Sequence, residues 1–140
     1  MKKLFLSLIA AGMLLTACNS NQTGASANTT TANAADAPVL KFEKDTRDFG
    51  KIKRGDKVTY DFKFTNTGKS PLIITDAVAT CGCTKPEVPK APIKPGESGN
   101  VHVTFDSAGK LGLQDKQITV TANTNPAQTR VHLIGEVTLN

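Results

Sequence analysis

The sequence predicts an all-β protein of two packed sheets, and three observations carry that prediction. From Pro38 onward, apolar and polar residues alternate with a period of two. Turn-forming residues separate the alternating runs, and beyond the N-terminal apolar stretch no window sustains a 3.6-residue period. The length suits one domain: 140 residues, 39% apolar, with no Trp and one Tyr, leave room for a single modest core.

The chain opens on an address rather than on a strand. Met1, Lys2 and Lys3 form a short positive segment, and residues 4–15 form an apolar stretch of signal-peptide length, too short to span a bilayer. Leu15-Thr16-Ala17-Cys18 then resembles the bacterial lipobox, in which small residues between a Leu and a Cys mark a cleavage site. That resemblance implies removal of residues 1–17 and acylation of Cys18, the new N-terminus, on its thiol and its amine. Each buried acyl methylene is worth ~0.8 kcal/mol, so several chains hold a protein at a membrane without spanning it. Asn19 differs from the Asp that resembles an inner-membrane retention signal, and no acidic run of the surface-export kind follows the Cys. The expected location is therefore the outer membrane, facing the periplasm. Residues 18–37 continue in small and polar side chains with one charge, Asp36. Such a segment buries too little surface to offset the entropy of ordering it. It reads as a tether, with residues 19–37 spanning roughly 20–25 Å as a flexible coil.

Residues 38–140 hold the strands. Weak strands are expected over 40–43 and 48–52. Val58, Tyr60, Phe62 and Phe64 then alternate with Thr59, Asp61, Lys63 and Thr65, the pattern of a half-buried strand. Asn66-Thr67-Gly68-Lys69 predicts a tight turn, and Leu72-Ile73-Ile74 predicts a strand covered on both faces. Pro86, Pro89, Pro92 and Pro95 recur every third residue, which excludes helix and predicts an extended, polyproline-like crossover. Lys94-Pro95-Gly96-Glu97 turns into the next run, where Val101, Val103 and Phe105 alternate with His102 and Thr104. Ile118, Val120 and Ala122 form another run, and after the break at Asn125-Pro126 the residues Val131, Leu133, Gly135 and Val137 form the last. About seven short strands in about 100 residues is the pattern of an immunoglobulin-like sandwich. Its core is expected from Val58, Tyr60, Phe62, Phe64, Val103, Phe105, Ile118, Val120 and Leu133.

Several segments together resemble the DUF1573 family: Phe49-Gly50-Lys51-Ile52 with Gly55-Asp56, the run from Phe62 to Gly68, Cys81-Gly82-Cys83-Thr84, Pro95-Gly96 and Phe105-Asp106. Gly109-Lys110-Leu111-Gly112, with Lys116, Ile118, Val120 and Asn123, is similar to the C-terminal half of that family. The resemblance covers roughly residues 39–137. It implies an immunoglobulin-like fold related to the PapD, major sperm protein and ASPM–hydin groups, and an envelope setting. It implies no activity, and a fold alone assigns none.

The charge balance, 17 Lys and Arg against 12 Asp and Glu, gives +5, and two of the positive charges lie in the leader. The excess is spread along the chain, so a clustered nucleic-acid footprint is absent. Enzyme constellations are also absent: there is no Cys-x-x-Cys, His-Glu-x-x-His or Gly-x-Ser-x-Gly, and His102 and His132 are the only imidazoles. No catalytic residue, cofactor or small-molecule substrate is expected. Asp106 and Asp115 flank a Gly-rich loop, where a solvated turn is the plainer reading, and Asp106-Ser107-Ala108 resembles a short O-glycan acceptor triplet of some bacteria. Cys81-Gly82-Cys83 is the one dense feature, and three readings stay open. It is a structural pair packed at a strand end, a disulfide or redox site, or a soft-metal site for Cu(I) or Zn. In an extended strand these two Cα atoms would stand ~6.5–7 Å apart, so a bridge requires the chain to bend at Gly82. The expected function is a membrane-anchored, non-enzymatic binding or assembly module with an envelope protein partner. The alternative is a thiol-based redox or copper-handling protein of the periplasm.

Overall fold

The computed structural model describes residues 36–139. The leader, Cys18 and the tether as far as residue 35 lie outside the described residues. Asp36 and Ala37, on the tether side of the expected boundary at 38, already bond to the domain: Asp36 accepts from the Ser70 hydroxyl and pairs with Lys69, and Ala37 accepts from Lys69 N.

Eight strands follow one another: β1 Leu40–Phe42, β2 Thr46–Lys53, β3 Lys57–Asn66, β4 Ile74–Ala79, β5 Thr84–Glu87, β6 Ser98–Asp106, β7 Gly112–Ala122 and β8 Gln128–Thr138. They form two four-stranded sheets, ordered β1-β3-β6-β5 and β2-β8-β7-β4, which face each other as a sandwich. Pairing is antiparallel except between β2 and β8, which run parallel with a register shift between Asp48 and Lys51.

The alternation fixes which side chains enter the core. Phe62 and Phe64 of β3, Val101, Val103 and Phe105 of β6, Ile118 and Val120 of β7, and Val131, Leu133 and Val137 of β8 are all buried, while their sequence neighbours face solvent. Val58 and Tyr60, expected in the core, are only half-buried. The Tyr60 ring packs edge-on against Phe62 at 4.8 Å and lies under the Arg47 guanidinium at 5.0 Å.

Two expectations are corrected. Leu72-Ile73-Ile74 is not covered on both faces. Leu72 and Ile74 are buried, but Ile73 is 44% exposed, and Leu72 makes only an isolated bridge to Ile93 before β4 begins. The proline-rich stretch is not wholly a crossover either, since Thr84–Glu87 pairs with β6 and places Pro86 opposite Val103. β5 is an edge strand, and an edge strand tolerates a residue without an N–H.

Candidate functional site

The Cys81-Gly82-Cys83-Thr84 turn carries the chain from the sheet containing β4 to the sheet containing β5. Backbone bonds hold it at both ends. Thr80 N donates to Gln117 O at 3.1 Å on entry, and Asp106 N donates to Cys83 O at 2.9 Å on exit. Thr84 N closes the turn onto Cys81 O at 3.1 Å. The bend brings the two cysteine Cα atoms to 5.3 Å, and their sulfurs are joined in a disulfide. Thr84 is buried beneath it, with Oγ1 3.7 Å from Cys81 Sγ and 3.9 Å from Cys83 Sγ. The expected dependence on glycine is corrected. Gly82 does not adopt a left-handed φ, and a Cβ there would meet nothing within 4 Å.

The turn borders a cleft of ≈ 380 Å³ at the end of the β1-β3-β6-β5 sheet, lined by Gly82, Cys83, Lys57, Lys85, Thr104 and Asp106. Lys57 Nζ lies 3.5 Å from Asp106 Oδ2, and the other carboxylate oxygen accepts Ala108 N at 2.9 Å. That backbone bond holds the Asp106 carboxyl below its usual range against the opposing effect of burial, and the Lys57 and Lys85 charges act in the same direction as the bond. Spacing along the chain could not reveal Lys57, Lys85 and Asp106 as neighbours, because they come from three strands.

Ser107 supports this end from beneath. Its hydroxyl accepts Gly55 N at 2.9 Å and lies 2.8 Å from Asp56 O and 3.0 Å from Lys53 O, which clasps the β2–β3 turn to β6. Ser107 is fully buried, so the reading of Asp106-Ser107-Ala108 as a glycan acceptor is overturned. A hydroxyl with no solvent access and committed partners has no room for a sugar.

The two histidines do not join the sulfurs. His102 meets Asp61 at 2.6 Å on the outer face of one sheet, and His132 meets Asp115 at 2.9 Å on the outer face of the other. Among the described residues no group of three or more His, Cys, Asp or Glu side chains is placed to hold a metal ion. With both sulfurs in the disulfide, neither offers a thiolate to a soft metal in this state.

This architecture is that of an immunoglobulin-like sandwich. The chain belongs to the family described as protein of unknown function DUF1573, which it matches over residues 40–137. A protein of unknown function from Porphyromonas gingivalis W83 is similar at 19% identity and TM-score 0.65, over 78% of this chain and 51% of that one. The ASH/PapD-like domain 7 of human CEP192 is similar at 10% identity and TM-score 0.58, over 96% of this chain and 99% of that domain. The secreted serine protease VesC of Vibrio cholerae is similar at 13% identity and TM-score 0.55, over 70% of this chain but only 23% of its own. The chain thus spans about half of the Porphyromonas protein and less than a quarter of the protease. At these identities the likeness is one of fold. No curated protein matches the chain significantly.

Proposed function

We propose that this is a lipid-anchored, non-enzymatic binding module of the cell envelope, tethered through Cys18 to the periplasmic side of the outer membrane. It engages a protein partner through the loop end that carries the Cys81–Cys83 turn. One contrast supports that choice of surface: the loop end holds an open, charged cleft, whereas every sheet edge is guarded against strand addition. β1 is three residues long, β5 contains Pro86, and β2 and β4 each carry a register shift. A disulfide also suits an oxidising compartment outside the cytoplasm, in keeping with the leader.

Capture of envelope proteins by the tagged full-length protein tests the surface. Lys57→Glu with Lys85→Glu should abolish capture, and Lys51→Glu with Lys53→Glu on the β2 edge should leave it intact. The reverse pattern would move the interface to the edge. Captured partners that survive substitution of both Cys81 and Cys83 by Ser support the binding module, and loss of all of them turns the assignment to a thiol function. The anchor is tested separately: Cys18→Ser should release the protein from detergent-extracted membranes or leave its precursor uncleaved. A wild-type protein already free in the periplasm would overturn it.

A further inference from the structure

The fold does not account for glycine at position 82. Its φ lies outside the left-handed region and a Cβ would meet no neighbour, so the turn itself admits other residues. Glycine is usually a cost to folding, since it surrenders more conformational freedom than any other residue. What a side chain here would alter lies outside the fold. It would meet no neighbour within 4 Å, on a residue that lines the cleft together with Cys83. A bare backbone at 82 leaves the disulfide approachable from that side.

We infer that the Cys81–Cys83 disulfide is a thiol–disulfide exchange site that accepts two electrons from a protein dithiol, with Cys83 the sulfur attacked and Gly82 the opening. The incoming thiolate bonds to Cys83 Sγ as the Cys81–Cys83 bond breaks, and the electron pair leaves on Cys81 Sγ, which takes a proton from solvent. The second thiol of the partner loses its proton to solvent and attacks the partner's own sulfur in the mixed disulfide. Cys83 then leaves as a thiolate and is protonated in turn. The dithiol ends as a disulfide and the Cys81–Cys83 pair as two thiols, with two electrons and two protons transferred.

The surroundings suit each step. Lys57 and Lys85 place two positive charges on the cleft against the single Asp106 carboxylate, so an approaching thiolate meets a net positive rim. The Thr84 hydroxyl, 3.7 Å from Cys81 Sγ, is placed to donate to the leaving thiolate. Opening the bond leaves the turn in place, because the Thr80–Gln117 and Asp106–Cys83 backbone bonds do not depend on it. The inference stands whether or not the same end of the domain also serves as a binding surface.

The oxidised full-length protein, purified in detergent, is treated with two reductants: a reduced thioredoxin-like Cys-x-x-Cys protein, which is bulky, and dithiothreitol, which is small. Both should reduce the folded wild type, read by thiol labelling and mass. Gly82→Phe should slow the protein reductant by on the order of tenfold while changing the dithiothreitol rate by less than about threefold, because exchange depends on access to the sulfur. Lys85→Gln should slow the protein reductant at low salt, and the difference should fade as salt screens the rim. A Cys-x-x-Ser form of the protein reductant, applied to the wild-type chain, should be trapped as a mixed disulfide on Cys83, located by peptide mapping. This last measurement does not depend on how any variant folds. A bond inert to the protein reductant while the domain stays folded would overturn the inference, and so would trapping on Cys81.

Discussion

Asn66 spends every polar group it owns inside the fold. Fully buried at the end of β3, it donates from Nδ2 to Ser70 O at 2.8 Å and Ile93 O at 3.0 Å, and its Oδ1 accepts Gly68 N at 3.0 Å and Val39 N at 3.3 Å. One side chain thus ties the β3 turn, the segment leading into β1 and the stretch after β5. Asn66→Ala would leave several of these groups unpaired, at a cost of about 2–4 kcal/mol in urea unfolding. Asn66→Asp should be at least as damaging, because it sets a carboxylate against two carbonyls, and an Asp variant of wild-type stability would refute this account. The neighbouring alternation makes a sharper contrast. Phe62→Ala should cost about 3–5 kcal/mol. Lys63→Ala should stay within about 0.5 kcal/mol of neutral, since its 2.7 Å pair with Glu43 is exposed on both sides. Equal effects at 62 and 63 would contradict the register. Asp106 gives the acid dependence. Its pKa in the folded chain is lowered, first by Ala108 N, so its contribution to stability is present above the unfolded value of 3.8 and disappears as pH falls through the lower folded value. The gap in Tm between wild type and Asp106→Asn should therefore narrow as pH falls below about 4.

At the scale of strands, β2 and β8 meet through a glycine. A Cβ on Gly135 would come within 2.3–2.6 Å of the Phe49 ring, and that ring lies 5.6 Å from the ring of Phe105. Gly135→Ala must push Phe49 off its seat, at a cost of about 1–3 kcal/mol. If the clash is the cause, the same change made on a Phe49→Ala background should cost much less, and additive costs in that double-mutant cycle would exclude it. Nothing local in the sequence signalled this contact, whereas β3, β6, β8 and the second half of β7, from Ile118, were legible. Each of those four has one face in the core and one in water, so burial writes itself into the sequence with a period of two. β5 was hidden by Pro86, which resembles a break although an edge strand accepts it. The parallel pairing of β2 with β8 joins segments more than eighty residues apart and leaves no local trace. The site divides in the same way. Cys81 and Cys83 were visible because they are close in sequence, but the charged walls of the cleft come from β3, β5 and β6. The buried place of Ser107 was hidden because a triplet pattern says nothing about burial.

For the whole molecule, the question is what the disulfide contributes to a sandwich that already has a continuous core. Its loop holds only three residues, 81–83. The chain-entropy relation gives about 1.5 kcal/mol for so short a closure. The core reaches across both sheets without the disulfide, from Phe62, Phe64 and Phe105 on one side to Ile118, Val120 and Leu133 on the other. Backbone segments also converge on the site by routes that bypass the sulfurs: Ser107 holds the β2–β3 turn, and the bonds of Thr80 and Cys83 hold the crossover. Reduction should therefore lower Tm by roughly 6–12 °C for a domain of this size, and the circular dichroism at 25 °C should remain that of the oxidised protein. Changing both Cys81 and Cys83 to Ser should reproduce that fall. Unfolding on reduction would mean that the bond is structural, and it would remove the exchange function at the same time. A site that passes electrons must return to its oxidised form, and it can do so only if the dithiol state keeps Cys81 and Cys83 in the turn where they can meet again.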